Sequence, residues 1–434
     1  MKEILKDEEK SLEASIESAK RLLNEDTGPI TSLKKLQPTV DTDQAFISHY
    51  KTSIQHTSFL GDSPYSDISY TGGTGFNKRH ALVKALGEAI ERYSLSIYDL
   101  DSFKNGEIAD MKQQILNPLE MNKFSKKQRK KKDLGDERIK SQEYYWLSTT
   151  SLKTGEKKLV PAHLVYLPFP YELNIQSPMS TGAAAGTDYK SATKRAISEV
   201  IERECFIISY LNKLENPQID LESIKDPEIR SIISRLKSEN LKIKILDISL
   251  DHPFKVCLTI ILNQNNGKTV KMGMDCSSSI LESIKGSLEE ASKDKGISGE
   301  FKGNKTEIKS IEDRSKYWSS KGNIEDLDFW IKEREEISVN ELESNYSEND
   351  IERFLSYIRD RNYRCFIADI TTDDVRRFGF KVVKAVIPEF HPLYLVEEFR
   401  YLGGERLYEV PVEEGFLEEE KSENEMNDVP HPFL

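Results

Sequence analysis

The chain has only four cysteines, Cys205, Cys257, Cys276 and Cys365, and their spacing suits neither a CxxC metal pair nor a disulfide framework. That usage fits a reducing compartment. No segment approaches the ~20 consecutive apolar residues that span a bilayer. The N-terminal stretch "MKEILKDEEKSLEASIESAKRLLNED" is charged throughout and lacks the apolar core of a signal peptide. A cytoplasmic protein without a membrane span is expected. Positive charge is also in deficit: 62 Lys and Arg against 74 Asp and Glu give a formal net charge of -12, which argues against general nucleic-acid binding. The seven histidines, His49, His56, His80, His163, His252, His391 and His431, form no HxxxH or HxxE pair, so no histidine metal site is expected. Nucleotide signatures are missing as well, with neither GxxxxGK[ST] nor GxGxxG present.

At 434 residues with 37% hydrophobic content, the chain has ample material for a real core. Residues 1 to 24 read as an amphipathic helix within an N-terminal extension, residues 1–60, and the main domain is expected over residues 61–434. The basic run "KKQRKKK", Lys126 to Lys132, reads first as part of a solvated linker near residues 122–140; the other reading is a patch for RNA or an acidic peptide. The acidic, proline-containing tail, residues 412–434, reads as solvated and mobile. Helices are expected from Asn77, from about Asp188, over "DPEIRSIISRLKSEN", from about Ser279 to Lys295, and over "DIERFLSYIRDR". Strands are expected at "LKIKILDISL", "RCFIADIT" and "FKVVKAVIP", with a hairpin turning at Asn266-Gly267. This pattern predicts an α/β or α+β fold with a mixed sheet.

One pattern stands out. "ALGEAIERYS", Ala85 to Ser94, returns as "AISEVIEREC", Ala196 to Cys205. Glu88, Glu91 and Arg92 therefore have counterparts in Glu199, Glu202 and Arg203, each set on the helix face opposite an apolar stripe. A single ExxER is ordinarily a solvated face with an ion pair; two copies at identical spacing call for another explanation. Both helices follow small-residue loops, "TGGTGF" with Thr74 and "STGAAAGT" with Ser180, where backbone N–H groups are open to an anion. Four carboxylates suit a hard divalent cation, and Mg²⁺ typically shares such sites with substrate phosphates. Taken alone, the residues point as far as a candidate Mg²⁺–phosphate site. Cys205 and Cys276 adjoin the motif helices and read as small packing residues.

The segments "GTGFNKRHALVKALGEAIERYS", "GAAAGTDYKSATKRAISEVIERE", "GMDCSSSILESIKGSLEEASKDKG", "FIADITTDDVRRFGFKVVKAVIPEFHPLYLVEEFRYLGGERLYEVP" and "NDVPHPFL" occur in this order, and together they resemble the YcaO family. The resemblance spans roughly residue 60 to 434. It implies repeated helices enclosing ATP and Mg²⁺ without a P-loop, with Glu88, Glu91, Glu199, Glu202 and Glu290 as metal ligands. It places Arg92 and Arg203 at phosphates or at those carboxylates, and Thr74 and Ser180 in the nucleotide loops. Pro430 and Pro432 match a PxPxP-like end thought to reach the active site, with Leu434 in place of the last proline. Three lysines depart from the pattern: Lys84 replaces a serine, and Lys293 and Lys295 replace Gln and Arg of the third motif, while Thr74 replaces a frequent lysine. Such lysines either neutralise the carboxylates, making a scaffold, or reach phosphate.

The implied activity is ATP-dependent cyclodehydration, in which Cys, Ser or Thr of a ribosomal precursor peptide closes on the preceding carbonyl to give a thiazoline or oxazoline. Thioamide or amidine formation is the enzymatic alternative. Expected partners are the precursor, a separate E1-like leader-binding protein and a flavin dehydrogenase, in a homo-oligomer or a complex.

Overall fold

The computed structural model describes residues 10–36, 47–55, 70–111, 114–263, 270–293, 301–320, 324–343 and 350–433. The expected Asn266-Gly267 turn lies outside the described residues, as do Lys295 and Leu434. The chain divides into two compact units, one of Met1–Asn122, Lys126–Val200 and Asp350–Glu389, the other of Lys123–Ser125, Ile201–Asn349 and Phe390–Leu434. The strands in chain order are β1 (Ile30–Leu36), β2 (Ser48–Ile54), β3 (Tyr70–Gly75), β4 (Lys104–Gly106), β5 (Tyr144–Ser151), β6 (Lys157–Pro161), β7 (Ala183–Gly186), β8 (Gln218–Ile219), β9 (Leu241–Asp247), β10 (Lys255–Asn263), β11 (Val270–Ser277), β12 (Glu336–Ile337), β13 (Phe366–Asp369) and β14 (Lys381–Val386).

The first unit holds a three-stranded sheet, β1-β2-β3, and a six-stranded one, β4-β5-β13-β14-β7 with β6 on β5, both antiparallel. Alternation of apolar residues accounts for this: Tyr144 and Trp146 on β5 and Phe366 and Ala368 on β13 join Leu86, Ala89 and Ile90 of the helix Lys78–Ser96 in one core. The three-stranded sheet crosses the expected boundary at residue 60, because β2 pairs with β3 along its length. Ala19, Leu22, Ile30 and Ile54 contribute to the same core.

The expected basic linker is folded. Lys126–Lys131 forms a short helix, Asp136–Lys140 another, and Leu134 and Ile139 between and within them are buried. These two apolar residues, with the Arg129–Asp136 ion pair at 2.9 Å, give the charged run a reason to fold back.

The second unit has the sheet β11-β10-β9-β8-β12, in which β8 and β12 are parallel and the other pairs antiparallel, so the expected mixed sheet is found here. The helix Pro227–Ser238 starts at the N-cap Asp226 with proline in its first turn, as its sequence dictates. The helix Ile311–Ser320 of the same unit is anchored by the buried Arg314. Buried charge concentrates around Glu204, which accepts from Arg406 Nε and Nη2 at 2.9 Å each and from the His391 amide at 2.6 Å, and lies 2.7 Å from His252 Nε2; Asp251 pairs with Arg406 at 2.7 Å.

The end of the acidic tail is packed, contrary to the expectation of a mobile segment. Met426, Asn427, Pro430, His431, Pro432 and Phe433 are buried, because donors inside the unit need their carbonyls. Tyr210 and Trp318 donate to Pro430 O at 3.1 and 2.9 Å, and Arg314 donates to His431 O at 2.9 Å.

Candidate functional site

Three times the chain runs from a glycine-bearing strand into a helix, and three times a glutamate on that helix turns back to accept a hydrogen bond from a strand or strand-edge amide. Gly72 N donates to Glu88 Oε2 at 3.2 Å, Gly182 N to Glu199 Oε2 at 3.0 Å, and Met274 N to Glu290 Oε2 at 2.7 Å, across 16, 17 and 16 residues. The helices are Lys78–Ser96, Tyr189–Asn212 and Ile280–Ala291. Asn77 caps the first, Asp188 Oδ1 accepts from Ser191 N at the second, and Ser279 caps the third. Glycine makes the close approach feasible: a Cβ at Gly73 would overlap Ala81 O and Ala85 N, one at Gly186 would lie 2.7 Å from Ala192 N, and one at Gly273 would meet Ser287 O at 2.5 Å.

The repeat therefore divides the carboxylates into two kinds. Glu88, Glu199 and Glu290 each have one oxygen fixed by backbone. Glu91 and Glu202, one turn further on, are instead steered by the arginines: Arg92 lies 3.5 Å from Glu88 and 3.7 Å from Glu91, and Arg203 lies 3.3 Å from Glu202. In the second unit the guanidinium of Arg203 also stacks over the Phe433 ring at 4.4 Å.

In the first unit Glu88, Glu91, Glu199 and Arg92 share one electrostatic neighbourhood with Lys384 of β14. Burial pushes the Glu91 carboxyl well above the usual carboxylate range; Glu199 and Glu88 push the same way, and Arg92 and Lys384 oppose them. The Lys384 ammonium is pulled down to about 8 by burial, against the attraction of Glu199 and Glu91. Its Nζ donates to Met179 O at 2.7 Å. Lys384 was not among the expected site residues. The available signal was a lysine between Val383 and Ala385 in a strand whose other residues are apolar except at its start.

Several expected positions differ. Lys84 is exposed on the first helix, so the lysine beside the carboxylates is Lys384 instead. Thr74 is buried and its hydroxyl sits 3.1 Å from His49 Nδ1, as the β2–β3 register requires, so it is engaged within the sheet. Ser180 accepts the Ala183 amide at 2.8 Å through its carbonyl, closing the turn before β7. Lys293 follows the third helix at the place held by Glu91 and Glu202 in the other two, and its amide donates to Glu290 O at 3.0 Å. The Pro430 carbonyl is engaged by Tyr210 and Trp318, and both Pro430 and Pro432 are buried, which leaves Phe433 as the tail residue against Arg203. Cys205 lies 3.5 Å from His252 Nδ1, but burial holds its thiol well above the usual range, consistent with packing.

Among the described residues no three His, Cys, Asp or Glu side chains converge as a closed metal cage. The donor set still fits Mg²⁺, which takes one or two carboxylates and completes its shell with water and phosphate oxygens. The fold and site thus define a P-loop-free protein with backbone-tethered carboxylates at the ends of glycine-bearing strands. A family model described as "YcaO cyclodehydratase", ATP- and Mg²⁺-binding, matches residues 72–391, and the chain belongs to the YcaO family.

No curated protein matches the sequence. Among solved structures, a heterocyclase in complex with substrate and cofactor shares the fold with a TM-score of 0.83 and 20% identity, covering 99% of this chain and 59% of that one. YcaO from Methanopyrus kandleri, bound with AMPPCP and Mg²⁺, gives 0.60 and 15% over 86% and 88% of the two chains. The E. coli microcin synthetase McbBCD complex with pro-MccB17 bound gives 0.62 and 16% over 85% and 90%. The chain spans about 59% of the length of the first of these. No helix among the described residues is long and apolar enough to cross a membrane.

Proposed function

We propose that this chain is the ATP-dependent cyclodehydratase component of a peptide-modifying system, forming thiazolines or oxazolines from Cys, Ser or Thr of a ribosomally made precursor. The observation that carries the reading is the glutamate tethered to a strand amide, found three times, in a chain that belongs to an ATP- and Mg²⁺-binding family. Glu88, Glu91 and Glu199 would hold Mg²⁺ in the first unit, and Glu202 and Glu290 are the candidates in the second. Bound Mg²⁺–ATP supplies the phosphoryl group that turns an amide oxygen into a leaving group.

The protein's own task is positioning and electrostatics. Backbone amides fix one oxygen of each tethered glutamate and so orient its carboxylate. Arg92 and Arg203 keep the second carboxylates of each pair in place and limit their mutual repulsion. The precursor peptide, a separate leader-binding protein and a flavin dehydrogenase are the partners proposed, in a multi-protein complex.

Calorimetric titration with ATP, with and without Mg²⁺, tests the nucleotide site. Saturable Mg²⁺-dependent binding is expected; absence of binding, repeated with the leader-binding protein present, overturns the reading in favour of a scaffold. Mass spectrometry of a candidate precursor then separates products, since azolines lose one water per ring whereas a thioamide exchanges oxygen for sulfur.

A further inference from the structure

Strand β9 is paired along its whole length on one side and at one end only on the other. Leu241 to Asp247 match Asn263 to Cys257 of β10 one for one. On the opposite edge β8 meets β9 only where Gln218 faces Leu246, and Asp247 N donates to Pro217 O at 3.0 Å. The next amide, Ile248 N, turns the other way and donates to Val256 O at 2.9 Å. Backbone groups of a strand point alternately to its two edges, so Ile243 and Leu241 turn theirs to the same side as Asp247. Among the described residues no strand runs beside Leu241 to Ile243 on that side. A cleft of about 370 Å³ opens at this stretch, lined by Leu241 to Lys244 together with Leu221, Lys237, Glu333 and Glu336. The buried Lys244 fixes its shape: Nζ donates to Gln218 Oε1 at 2.6 Å and to Lys332 O at 3.2 Å, and Gln218 Nε2 donates to Glu336, so β8, Lys332 and β12 are all held to β9.

An open edge of this kind accepts an extended peptide, which adds as a further strand and pairs the outward N–H and C=O groups. Side chains decide which peptide. Alternation along β9 puts the buried Ile243 and Ile245 on one face and Lys242 and Lys244 on the other. Lys242 pairs at 2.5 Å with Glu333, a carboxylate that is itself largely exposed, and Lys237, Lys242 and Lys244 outnumber Glu333 and Glu336 in the lining. A neighbouring strand is therefore matched by apolar side chains on one face and acidic ones on the other.

We propose that the edge of β9 from Leu241 to Ile243 is a docking site for an extended peptide segment whose residues alternate between apolar and acidic, held by strand addition. Taking that segment to be part of the precursor rests on the cyclodehydratase reading; the docking itself does not. The place suits a substrate peptide, because the same sheet carries Met274, whose amide tethers Glu290, two strands away on β11 and level with Leu246. By strand spacing and rise, an added strand lies roughly 20 Å from Met274, a span of about six extended residues. The alternative is a guarded edge, whose lysines discourage any strand from adding, and it makes the opposite prediction.

The test uses the full chain without nucleotide and a short fluorescein-labelled peptide of alternating valine and glutamate, alongside versions N-methylated on the valines or on the glutamates. Fluorescence anisotropy reads binding, deuterium exchange locates it, and thermal melting checks the folding of each variant. Saturable binding of the parent peptide is expected, weakened at least about tenfold by methylation of one residue type and kept on methylation of the other, since only alternate N–H groups face β9. Binding should also slow exchange over Leu241 to Ile245 and be weakened by Lys242→Glu, which sets like charge against the peptide. Absence of binding, equal loss for both methylated peptides, or unchanged exchange over that stretch overturns the proposal. Titration of the same protein with ATP and Mg²⁺ then shows separately whether the cyclodehydratase reading stands. Should Lys242→Glu fail to fold, Lys242→Gln takes its place under the same criteria.

Discussion

Glu91 and Glu199 differ in what holds them, and the difference sets what each substitution does. Glu199 has its Oε2 on the Gly182 amide, a bond that glutamine reproduces through its carbonyl oxygen. Glu199→Gln is therefore expected to keep the fold and its melting temperature while weakening Mg²⁺-dependent ATP binding at least about tenfold, measured by calorimetry. Glu91 is the carboxylate pushed upward by burial and by its acidic neighbours. Glu91→Gln removes that repulsion, so the nucleotide-free protein should melt higher in a thermal scan and bind Mg²⁺–ATP less well. A lower melting temperature would show that Arg92 and Lys384 already more than compensate the charge. The lysine that decides the character of this neighbourhood was the residue least legible in advance. Glu88, Glu91, Arg92 and their counterparts announce themselves by helical spacing, whereas Lys384 arrives from β14, 185 residues after Glu199, through strand pairing that no local pattern encodes.

At the scale of the element, the unit that recurs is strand, glycine, cap, helix and returning glutamate. The helices were readable from their apolar stripes, and the caps Asn77 and Ser279 from their positions just ahead of them. What could not be read was the tether, because a bond from Gly72 to Glu88 depends on how closely the helix lies on the strand. The basic run at residues 126–132 hides its fold for a related reason: its charge is conspicuous, and the two apolar residues that fold it, Leu134 and Ile139, are too few to make a periodic signal. The tether makes the glycines the sensitive positions. Gly73→Val should destabilise the protein by more than about 3 kcal/mol, since its branched side chain has to displace helix backbone at Ala81 and Ala85. Gly87→Ala, where a Cβ meets nothing within 4 Å, should be neutral or slightly stabilising, and chemical denaturation of the pair measures the contrast.

For the molecule as a whole, the second unit is closed by segments remote in sequence. Deleting the chain from residue 427 onward removes the acceptors of Tyr210 Oη, Trp318 Nε1 and Arg314 Nη1 and leaves these three groups without those partners, while the other nitrogens of Arg314 keep Leu395 O and Glu397. At about 1 to 3 kcal/mol for each buried group left unsatisfied, the truncated chain should unfold well below the full-length protein in a thermal scan. Glu204 supplies a pH signature. Burial would raise its carboxyl, but Arg406 and His252 outweigh it and hold it at about 2, below the unfolded value of 4.5. A depressed carboxylate adds stability above the unfolded value and loses it as pH falls toward the folded one. The contribution, about 3 kcal/mol, should therefore vanish between about pH 4.5 and 2, and the loss over that window should be smaller in Glu204→Gln than in wild type.

The returning glutamates have one more consequence. An amide proton pinned to a carboxylate exchanges with solvent only when that bond opens, so Gly72, Gly182 and Met274 each carry a slow deuterium clock beside a proposed ligand carboxylate. A ligand that draws the carboxylate toward itself would speed that clock, and one that uses only the outer oxygen would slow it. Three amide exchange rates, followed during a nucleotide titration, would thus report separately on how each glutamate is loaded.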